Sequence, residues 1–156
     1  MYWNGKTCLI TGATSGIGKA AAQALVSIGY GLIILGRNEI KVRKTCRELK
    51  SKSNSSIIGS YVCDLSVIKD VRTATDRIKG DYGQIDVLIN NAGARFLRHE
   101  LTNEGIERTL ATNHLGHFVL TLSLIEPLKN SGRARIVNVS SGAHYGGSGV
   151  IDNISS

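Results

Sequence analysis

The chain has 156 residues, 42% of them hydrophobic, and a mean hydropathy of −0.01. A chain of this size and composition can bury one hydrophobic core, so we expect a single globular domain. Its strongly apolar runs, such as residues 32–35, are far too short to cross a bilayer, and the residues before Thr11 leave no room for a secretory signal. Neither a membrane span nor secretion is therefore expected.

The three cysteines, Cys8, Cys46 and Cys63, are odd in number and lack the spacing of a metal site. Cys8 and Cys63 fall in strand-like runs, where a thiol usually serves as a small core side chain. A reducing cytosol is therefore the expected compartment.

The formal net charge is +7, and the densest basic stretch covers residues 41–52. A basic surface can bind nucleic acid, but this stretch holds no aromatic residue that could stack on a base. No nucleic-acid partner is therefore expected, and the cations are predicted to lie on a solvated helix face. They are Lys41, Arg43, Lys44, Arg47 and Lys50.

Five short apolar runs are separated by segments with helical periodicity. Near-continuous apolar strands are typical of a parallel sheet that helices cover on both faces. The alternation therefore predicts an α/β fold with a doubly wound parallel sheet. The predicted strands cover residues 6–11, 31–36, 57–63, 85–90 and 134–140.

The helices between these strands are predicted from the spacing of their apolar residues and from residues that favour helix ends. The first is predicted to end at Gly29 and the third at Gly80, while Asn38 and Ser66 are candidate N-caps of the second and third. A longer helix is predicted from Thr102, with Pro127 near its end. The apolar faces comprise Ile17, Ala21, Ala24, Leu25 and Ile28 in the first helix, Val67, Val71, Ala74 and Ile78 in the third, and Ile106, Leu110, His117, Leu120 and Leu124 in the fourth.

The stretch TGATSGIG, residues 11–18, lies where the first strand meets the first helix. Gly12 would permit a tight turn, Gly16 would let backbone approach a pyrophosphate, and Gly18 would let the helix pack closely on the sheet. The N-terminus of the helix would offer unpaired N–H groups to phosphates. In an alternating α/β chain, this pattern predicts a nucleotide-binding turn, although a plain tight connection has the same appearance.

The end of the second predicted strand carries Arg37 and Asn38 rather than an acidic residue. A carboxylate there would hold the ribose 2′-hydroxyl of NAD, whereas a guanidinium suits the 2′-phosphate of NADP. The sequence therefore favours NADP over NAD. The alternative is a solvent-exposed arginine without a partner.

Five motifs, in order along the chain, resemble those of the short-chain dehydrogenase/reductase family. They are TGATSGIG at 11–18, CDLS at 63–66, NNAG at 90–93, ATNHLGHFVLT at 111–121 and RIVNVSSGAH at 135–144. The last two are most similar to the retinol-dehydrogenase-like branch, which acts on bulky apolar alcohols and carbonyls. The resemblance implies a Rossmann-type NAD(P)-binding domain over residues 1–145, with the first five strands only, and a flexible Gly/Ser-rich tail at 146–156.

The resemblance also implies an oxidoreductase that transfers a hydride between NADP(H) and an alcohol or carbonyl. It assigns Ser141 and Asn113 to catalysis, and NNAG to stabilisation of the sheet. Because Asn113 shares a helix face with Leu110 and His117, we expect its amide to be buried and hydrogen-bonded. The cofactor-binding residues implied are Gly12, Thr14, Ser15, Gly16, Ile17, Gly18, Arg37, Asn38, Asp64, Leu65, Asn91, Ala92 and Gly93.

Two other interpretations of the polar residues are less favoured. His114 and His117 have the spacing of metal ligands on a helix, but no cysteine or carboxylate joins them, so packing and hydrogen bonding are expected instead. Ser141, His144 and Asp152 could form a hydrolase triad, but the serine lacks the strained turn of such enzymes.

In this family a tyrosine passes the proton, and a lysine four residues later lowers its pKa, because a free phenol with a pKa of about 10 is a poor base at neutral pH. No such pair is found after Ser141. The other tyrosines are Tyr30, Tyr61, Tyr82 and Tyr145, which lack the lysine, and Tyr2, whose Lys6 precedes the first strand.

Without that pair, catalysis is expected to be incomplete in this chain. The fifth strand is expected to form an exposed sheet edge, with marginal stability, aggregation or self-association. A non-catalytic NADP-binding module and an assembly completed by a partner remain open as alternatives.

Overall fold

The computed structural model describes residues 4–52 and 58–142. Within these ranges, strands and helices alternate, so the predicted α/β class is confirmed. The elements are β1 Thr7–Thr11, α1 Gly16–Ser27, β2 Gly31–Gly36, α2 Glu39–Lys52, β3 Ile58–Val62, α3 Ile68–Asp81, β4 Val87–Asn90, α4 Arg108–Leu110, a π-helical segment Ala111–Leu115, α5 Gly116–Ser123, α6 Ile125–Asn130 and β5 Arg135–Asn138.

The five strands form one parallel sheet in the order β3-β2-β1-β4-β5. The chain builds outward from β1 to β3 and then returns to the other side of β1 for β4 and β5. In a doubly wound sheet such a reversal opens a crevice beyond the carboxyl ends of the strands, here between β1 and β4. The predicted Rossmann-type arrangement is confirmed.

Alternate residues of β1 and β2 enter separate hydrophobic clusters on the two faces of the sheet. Leu9 and Ile33 pack on the face covered by α3 and α5, whereas Cys8 and Ile10 pack on the face covered by α1 and α2. Burial on both faces explains why these strands are apolar throughout. The thiols of Cys8 and Cys63 are core groups as predicted, and burial raises the pKa of each to about 12.

The buried face of α1 differs from the predicted one. Gly18, Ala22 and Val26 are buried, whereas Ile17 is 74% exposed and Ile28 is 65% exposed. The face is set by Gly18, since a Cβ there would collide with the Gly12 carbonyl. Close backbone approach, and not the number of apolar residues, therefore decides which side of this helix meets the sheet.

The two predicted N-caps have different outcomes. Asn38 caps α2, because its Oδ1 accepts the Lys41 N–H at 2.9 Å. Ser66 does not cap α3, since its hydroxyl donates to the Asp64 carboxylate at 2.8 Å. The first N–H of α3, that of Ile68, is instead bound by Glu104 at 3.1 Å, and only the folded chain brings that carboxylate there.

The glycine stop signals are accurate to about one residue. Gly29, with a φ of 92°, follows the last residue of α1 and its cap, as predicted. Helix α3 continues one residue past Gly80 and ends at Asp81.

The helix predicted from Thr102 begins six residues later, at Arg108. Gly105 has a φ of 75°, and the Thr102 N–H donates to the Ile106 carbonyl at 2.8 Å, so this stretch is a turn. The helix starts where Glu107 can cap it, with its carboxylate accepting the N–H groups of Thr109 and Leu110 at 2.7 Å each.

The later residues of the predicted helix face, His117, Leu120 and Leu124, are buried as expected. Ile106 and Leu110, which belong to the turn and to α4, are only half-buried.

The sheet edge at β5 is exposed, as predicted. Ile136, Val137 and Val139 are 43%, 44% and 46% exposed, and β5 pairs only with β4 among the residues that the structure describes. Over the same residues, no helix has the length and apolar character needed to span a membrane.

Candidate functional site

A cavity of about 610 Å³ lies at the carboxyl ends of β1, β2 and β4, a volume typical of small-molecule sites. All of the predicted cofactor-binding residues line it, namely Gly12, Thr14, Ser15, Gly16, Ile17, Gly18, Arg37, Asn38, Asp64, Leu65, Asn91, Ala92 and Gly93. Six further lining residues were not predicted: Leu35, Gly36, Lys41, Cys63, Ala94 and Thr112.

The three glycines of the first turn have different surroundings. A Cβ on Gly12, which has a φ of 70°, would lie 2.8 Å from the Ala92 Cα, and a Cβ on Gly18 would collide with the Asn91 amide. By contrast, a Cβ on Gly16, which has a φ of 51°, would have no atom within 4 Å. Gly12 and Gly18 thus permit close packing, while Gly16 borders open space in the cavity and leaves room for a phosphate.

The NNAG segment joins β4 to both neighbouring strands. The backbone N–H groups of Asn91 and Ala92 each donate to the Thr11 hydroxyl at 2.9 Å, and the Asn91 amide donates to the Thr11 carbonyl at 2.9 Å. On the other side, the Asn90 amide donates to Asn138 at 2.8 Å and to Thr121 at 3.0 Å. These bonds fix the first part of the segment, and residues 91–94 form one wall of the cavity.

The end of β2 brings two cations to the cavity. Arg37 follows the strand directly, and Lys41 lies one turn later in α2, with its N–H held by the Asn38 side chain. The sequence predicts Lys41 as one of five solvated cations of α2, and all five are exposed as predicted. The signal that could have identified Lys41 is its position four residues after Arg37, just inside a capped helix.

Asp64 is the carboxylate among the residues that line the cavity. One of its oxygens accepts the Ser66 N–H at 2.9 Å and the Ser66 hydroxyl at 2.8 Å. These bonds hold the carboxylate within the loop that follows β3. Arg37 and Lys41 lie instead after β2, the strand that neighbours β3 in the sheet.

Asn113 is exposed, so the prediction of a buried amide was wrong. The prediction that it finds partners is confirmed, because its Nδ2 donates to the Ala94 carbonyl and its Oδ1 accepts the Ala94 N–H, both at 2.9 Å. Pairing with backbone satisfies the amide without burial. Asn113 lies in the π-helical segment, a feature often found at functional sites.

Neither of the two predicted catalytic residues lines the cavity. Ser141 is exposed and lies three residues beyond the end of β5, and Asn113 reaches the cavity wall through Ala94. His144, Tyr145, Asp152 and the predicted tail at 146–156 lie outside the described residues, so the disfavoured triad is not tested and the domain boundary stays a prediction.

His117 is buried and hydrogen-bonded, as predicted. Its Nε2 lies 2.9 Å from the Thr11 hydroxyl oxygen, and its Nδ1 lies 3.2 Å from the Asn113 carbonyl oxygen. Burial lowers the pKa of His117, the contact with Asn113 opposes this, and His114 lowers it further. His114 itself stacks against Phe118, with the ring centroids 6.5 Å apart.

Comparison with known proteins agrees with this geometry. A profile of the short chain dehydrogenase family matches residues 6–152. Human retinol dehydrogenase 12 is 41% identical over 141 residues, which are 90% of this chain and 45% of that protein. Human polyprenol dehydrogenase is 35% identical over 144 residues, or 90% of this chain and 44% of that protein.

Solved structures share the fold. An uncharacterised protein from Mycobacterium paratuberculosis superposes with a TM-score of 0.80 at 33% identity, over 99% of this chain and 53% of that one. A metagenomic short-chain oxidoreductase in complex with NADP gives 0.75 at 27% identity, over 89% and 62% of the two chains. An NAD⁺-bound xylitol dehydrogenase gives 0.76 at 28% identity, over 99% and 60%.

The chain therefore belongs to the short-chain dehydrogenase family of oxidoreductases and is similar to retinol dehydrogenases within it. It spans somewhat less than half the length of the curated relatives that it matches.

Proposed function

We propose that the chain binds NADP(H) in the cavity and supplies the cofactor-binding part of an oxidoreductase for apolar alcohols or carbonyls. The bound nicotinamide would supply the hydride chemistry. The glycine turn and residues 91–94 would hold the dinucleotide, Asp64 and Leu65 would contact the adenine, and Arg37 and Lys41 would bind the 2′-phosphate.

The observation that carries the choice of NADP is the charge at the end of β2. Arg37 and Lys41 both line the cavity there, and neither of the two residues that follow β2, Arg37 and Asn38, is the carboxylate that would bind the ribose of NAD. Lys41 makes no ion pair among the described residues, whereas Arg43, two residues further along, pairs with Glu39 at 2.7 Å. The charge of Lys41 is therefore available to a ligand.

Titration of the chain with NADPH and with NADH, followed by nicotinamide fluorescence, tests this assignment. NADPH is expected to bind more tightly. Arg37→Ala and Lys41→Ala should each weaken NADPH binding by about tenfold, the value of one charge-assisted hydrogen bond, and leave NADH binding unchanged. Lys44→Ala is the matched control, since Lys44 lies in the same helix but does not line the cavity. Equal affinity of the parent chain for NADPH and NADH would refute the NADP assignment.

We further propose Ser141 and Asn113 as the substrate-side residues. Their support is the family membership and the placement of Asn113 against Ala94 on the cavity wall. A turnover assay with NADPH and a panel of apolar aldehydes and ketones tests this role. Turnover that Ser141→Ala abolishes without changing the NADPH Kd would support it, and turnover that survives Ser141→Ala would contradict it.

A second candidate is a non-catalytic NADP-binding module, alone or with a partner chain. It is favoured by the position of Asn113 and Ser141 outside the cavity. NADPH binding without turnover on any substrate of the panel would support it. Because Cys8 and Cys63 are free thiols buried in the core, we also propose a reducing compartment such as the cytosol.

A further inference from the structure

His117 is a buried polar residue to which the proposed function gives no role. It lies in the first turn of α5, directly after the π-helical segment, and is 7% exposed. Its two ring nitrogens contact different parts of the fold, the hydroxyl of Thr11 at the end of β1 and the carbonyl of Asn113. His117 therefore joins the central strand to the segment that carries Asn113.

The partners of the ring determine where its proton lies. The Asn113 carbonyl can only accept, so Nδ1 carries the proton. The neutral ring then accepts at Nε2. The Thr11 hydroxyl donates to this nitrogen, which is 2.9 Å away, rather than to the Ile89 carbonyl, which is 3.4 Å away. The Thr11 oxygen in turn accepts the N–H groups of Asn91 and Ala92, so both of its lone pairs are used. A second ring proton, at Nε2, would find no free acceptor.

Both contacts of His117 lead to the same wall of the cavity. Thr11 holds the first two residues of that wall, Asn91 and Ala92, through their N–H groups. Asn113 holds the fourth, Ala94, through its N–H and carbonyl. His117 links these two anchors, although it does not line the cavity itself.

We propose that His117 is a positioning residue: by joining Thr11 to Asn113, it holds residues 91–94 in the shape in which they line the cavity. The inference rests on the proposed function only for its effect on cofactor affinity, because the order of the wall can be measured without a ligand. It acts through two hydrogen bonds of defined polarity, and each can be removed separately.

The first measurement is the ring tautomer of His117 in the full chain, from long-range ¹⁵N–¹H correlation spectra. The proton on Nδ1 is the expected result at neutral pH. A proton on Nε2, or on both nitrogens, would overturn the proposal, since the contact with Asn113 or with Thr11 would then have the wrong polarity.

The second measurement is amide hydrogen exchange at Asn91, Ala92 and Ala94. His117→Phe keeps a ring but removes both polar contacts, and should speed exchange at these three amides by about tenfold, the value of one hydrogen bond. Leu120→Val is the control, because Leu120 is also buried in α5 but has an apolar side chain that cannot hydrogen-bond to either anchor. Equal exchange at the three amides in the two variants would overturn the proposal.

Conservative variants separate positioning from simple packing. His117→Asn places an amide donor near the position of Nδ1 and should restore protection at Ala94 alone. His117→Gln places an amide oxygen near the position of Nε2 and should restore protection at Asn91 and Ala92 alone. If both variants behave like His117→Phe, the two bonds do not position the wall, and the proposal fails.

Titration with NADPH tests whether the order of residues 91–94 affects cofactor binding in the cavity. His117→Phe should raise the Kd by about tenfold relative to Leu120→Val, as for one lost hydrogen bond. An unchanged Kd alongside faster exchange would overturn the link to the cavity. If the parent chain binds neither NADPH nor NADH, the proposed function fails, while the exchange and tautomer measurements still decide the role of His117.

Discussion

The middle and one edge of the sheet are built from similar apolar runs but are covered very differently. All residues of β1 and all but the last of β2 are buried, whereas all four residues of β5 are exposed. The run LIIL at 32–35 and the run IVNV at 136–139 are both apolar enough to predict a strand, and this character alone does not distinguish a covered strand from the exposed edge expected for the second run. Apolar character therefore identifies a strand, but its burial depends on which helices lie over it.

The proposed cofactor-binding residues and Ser141 differ in the same way, since the first lie in the covered middle of the sheet and the second at its exposed edge. The glycine turn, the β2 end and residues 91–94 surround the cavity in the covered middle of the sheet, where Thr11 and Gly18 are buried. Ser141 follows β5 at the exposed edge. Cofactor binding is thus proposed where the fold is well packed, and substrate chemistry where it is open.

Substituting one residue type in the two regions gives the largest expected effect. Ile10 in β1 is fully buried, and Ile136 in β5 is 43% exposed. Ile10→Ala should lower the free energy of unfolding by about 2–5 kcal/mol, because it removes buried methyl groups and leaves a cavity. Ile136→Ala should cost less than about 1 kcal/mol. Urea denaturation of both variants measures the difference, and equal losses would show that β5 is as well packed as β1.

Much of the fold could be predicted because its signals are local. The five strands were placed to within about two residues, since each is an apolar run bounded by polar or glycine residues. The cap at Asn38 and the stop at Gly29 were also local. The helix predicted from Thr102 was wrong because Gly105 and Glu107 favour a turn and a later start, and the apolar spacing alone does not register them.

What could not be predicted depends on contacts between distant parts of the chain. The buried face of α1 is set by the contact between Gly18 and Gly12, in the turn that follows β1. The first N–H of α3 is bound by Glu104, which lies 36 residues away in the chain. Lys41 was expected to lie in solvent, because the sequence of α2 gives no sign that the cavity lies beside this residue. In the same way, Asn113 satisfies its amide on Ala94, and the sequence gives no distance between them.

Adding one methyl group to the covered region should have the next largest effect. Gly18→Ala places a Cβ against the Gly12 carbonyl and the Asn91 amide, and is expected to cost about 1–3 kcal/mol as overpacking. It should also weaken NADPH binding. Gly80→Ala, in α3, meets no atom within 4 Å and should be neutral or slightly stabilising. Thermal unfolding of the pair is the test, and a Gly18→Ala variant as stable as the parent would contradict this close packing.

A smaller effect on stability is expected at the amino ends of β1 and β4, away from the cavity. There Asp86 joins three segments of the chain. Its carboxylate accepts the Thr7 N–H at 2.7 Å, the Ser131 hydroxyl at 2.8 Å and the Gln84 amide at 3.0 Å. Burial alone would raise the pKa of Asp86, but these hydrogen bonds outweigh it and hold the pKa below its usual value.

A lowered folded-state pKa means that Asp86 stabilises the protein above its unfolded pKa, about 3.9, and that this contribution disappears as the pH falls through the lower folded value. Asp86→Asn should therefore lose about 1 kcal/mol at pH 7, with a smaller loss near pH 3. Asp76→Asn is the control, because among the described residues Asp76 forms an exposed ion pair with Lys79, a kind of contact that contributes little to stability. A loss at Asp86 that does not change with pH would contradict the assignment.

The smallest effect on stability, and the clearest on association, is expected at the exposed edge. Val137→Lys places a charge on β5, which should oppose pairing of this edge with a second copy and change the unfolding free energy by less than about 0.5 kcal/mol. Ile40→Lys makes the same kind of change on α2, where Ile40 is 80% exposed and far from the edge in the sheet order. Size-exclusion chromatography with light scattering should then show less association for Val137→Lys than for Ile40→Lys or the parent. A parent chain that stays monomeric at all concentrations would refute self-association through β5, and equal loss of association in both variants would assign it to apolar surface in general rather than to this edge.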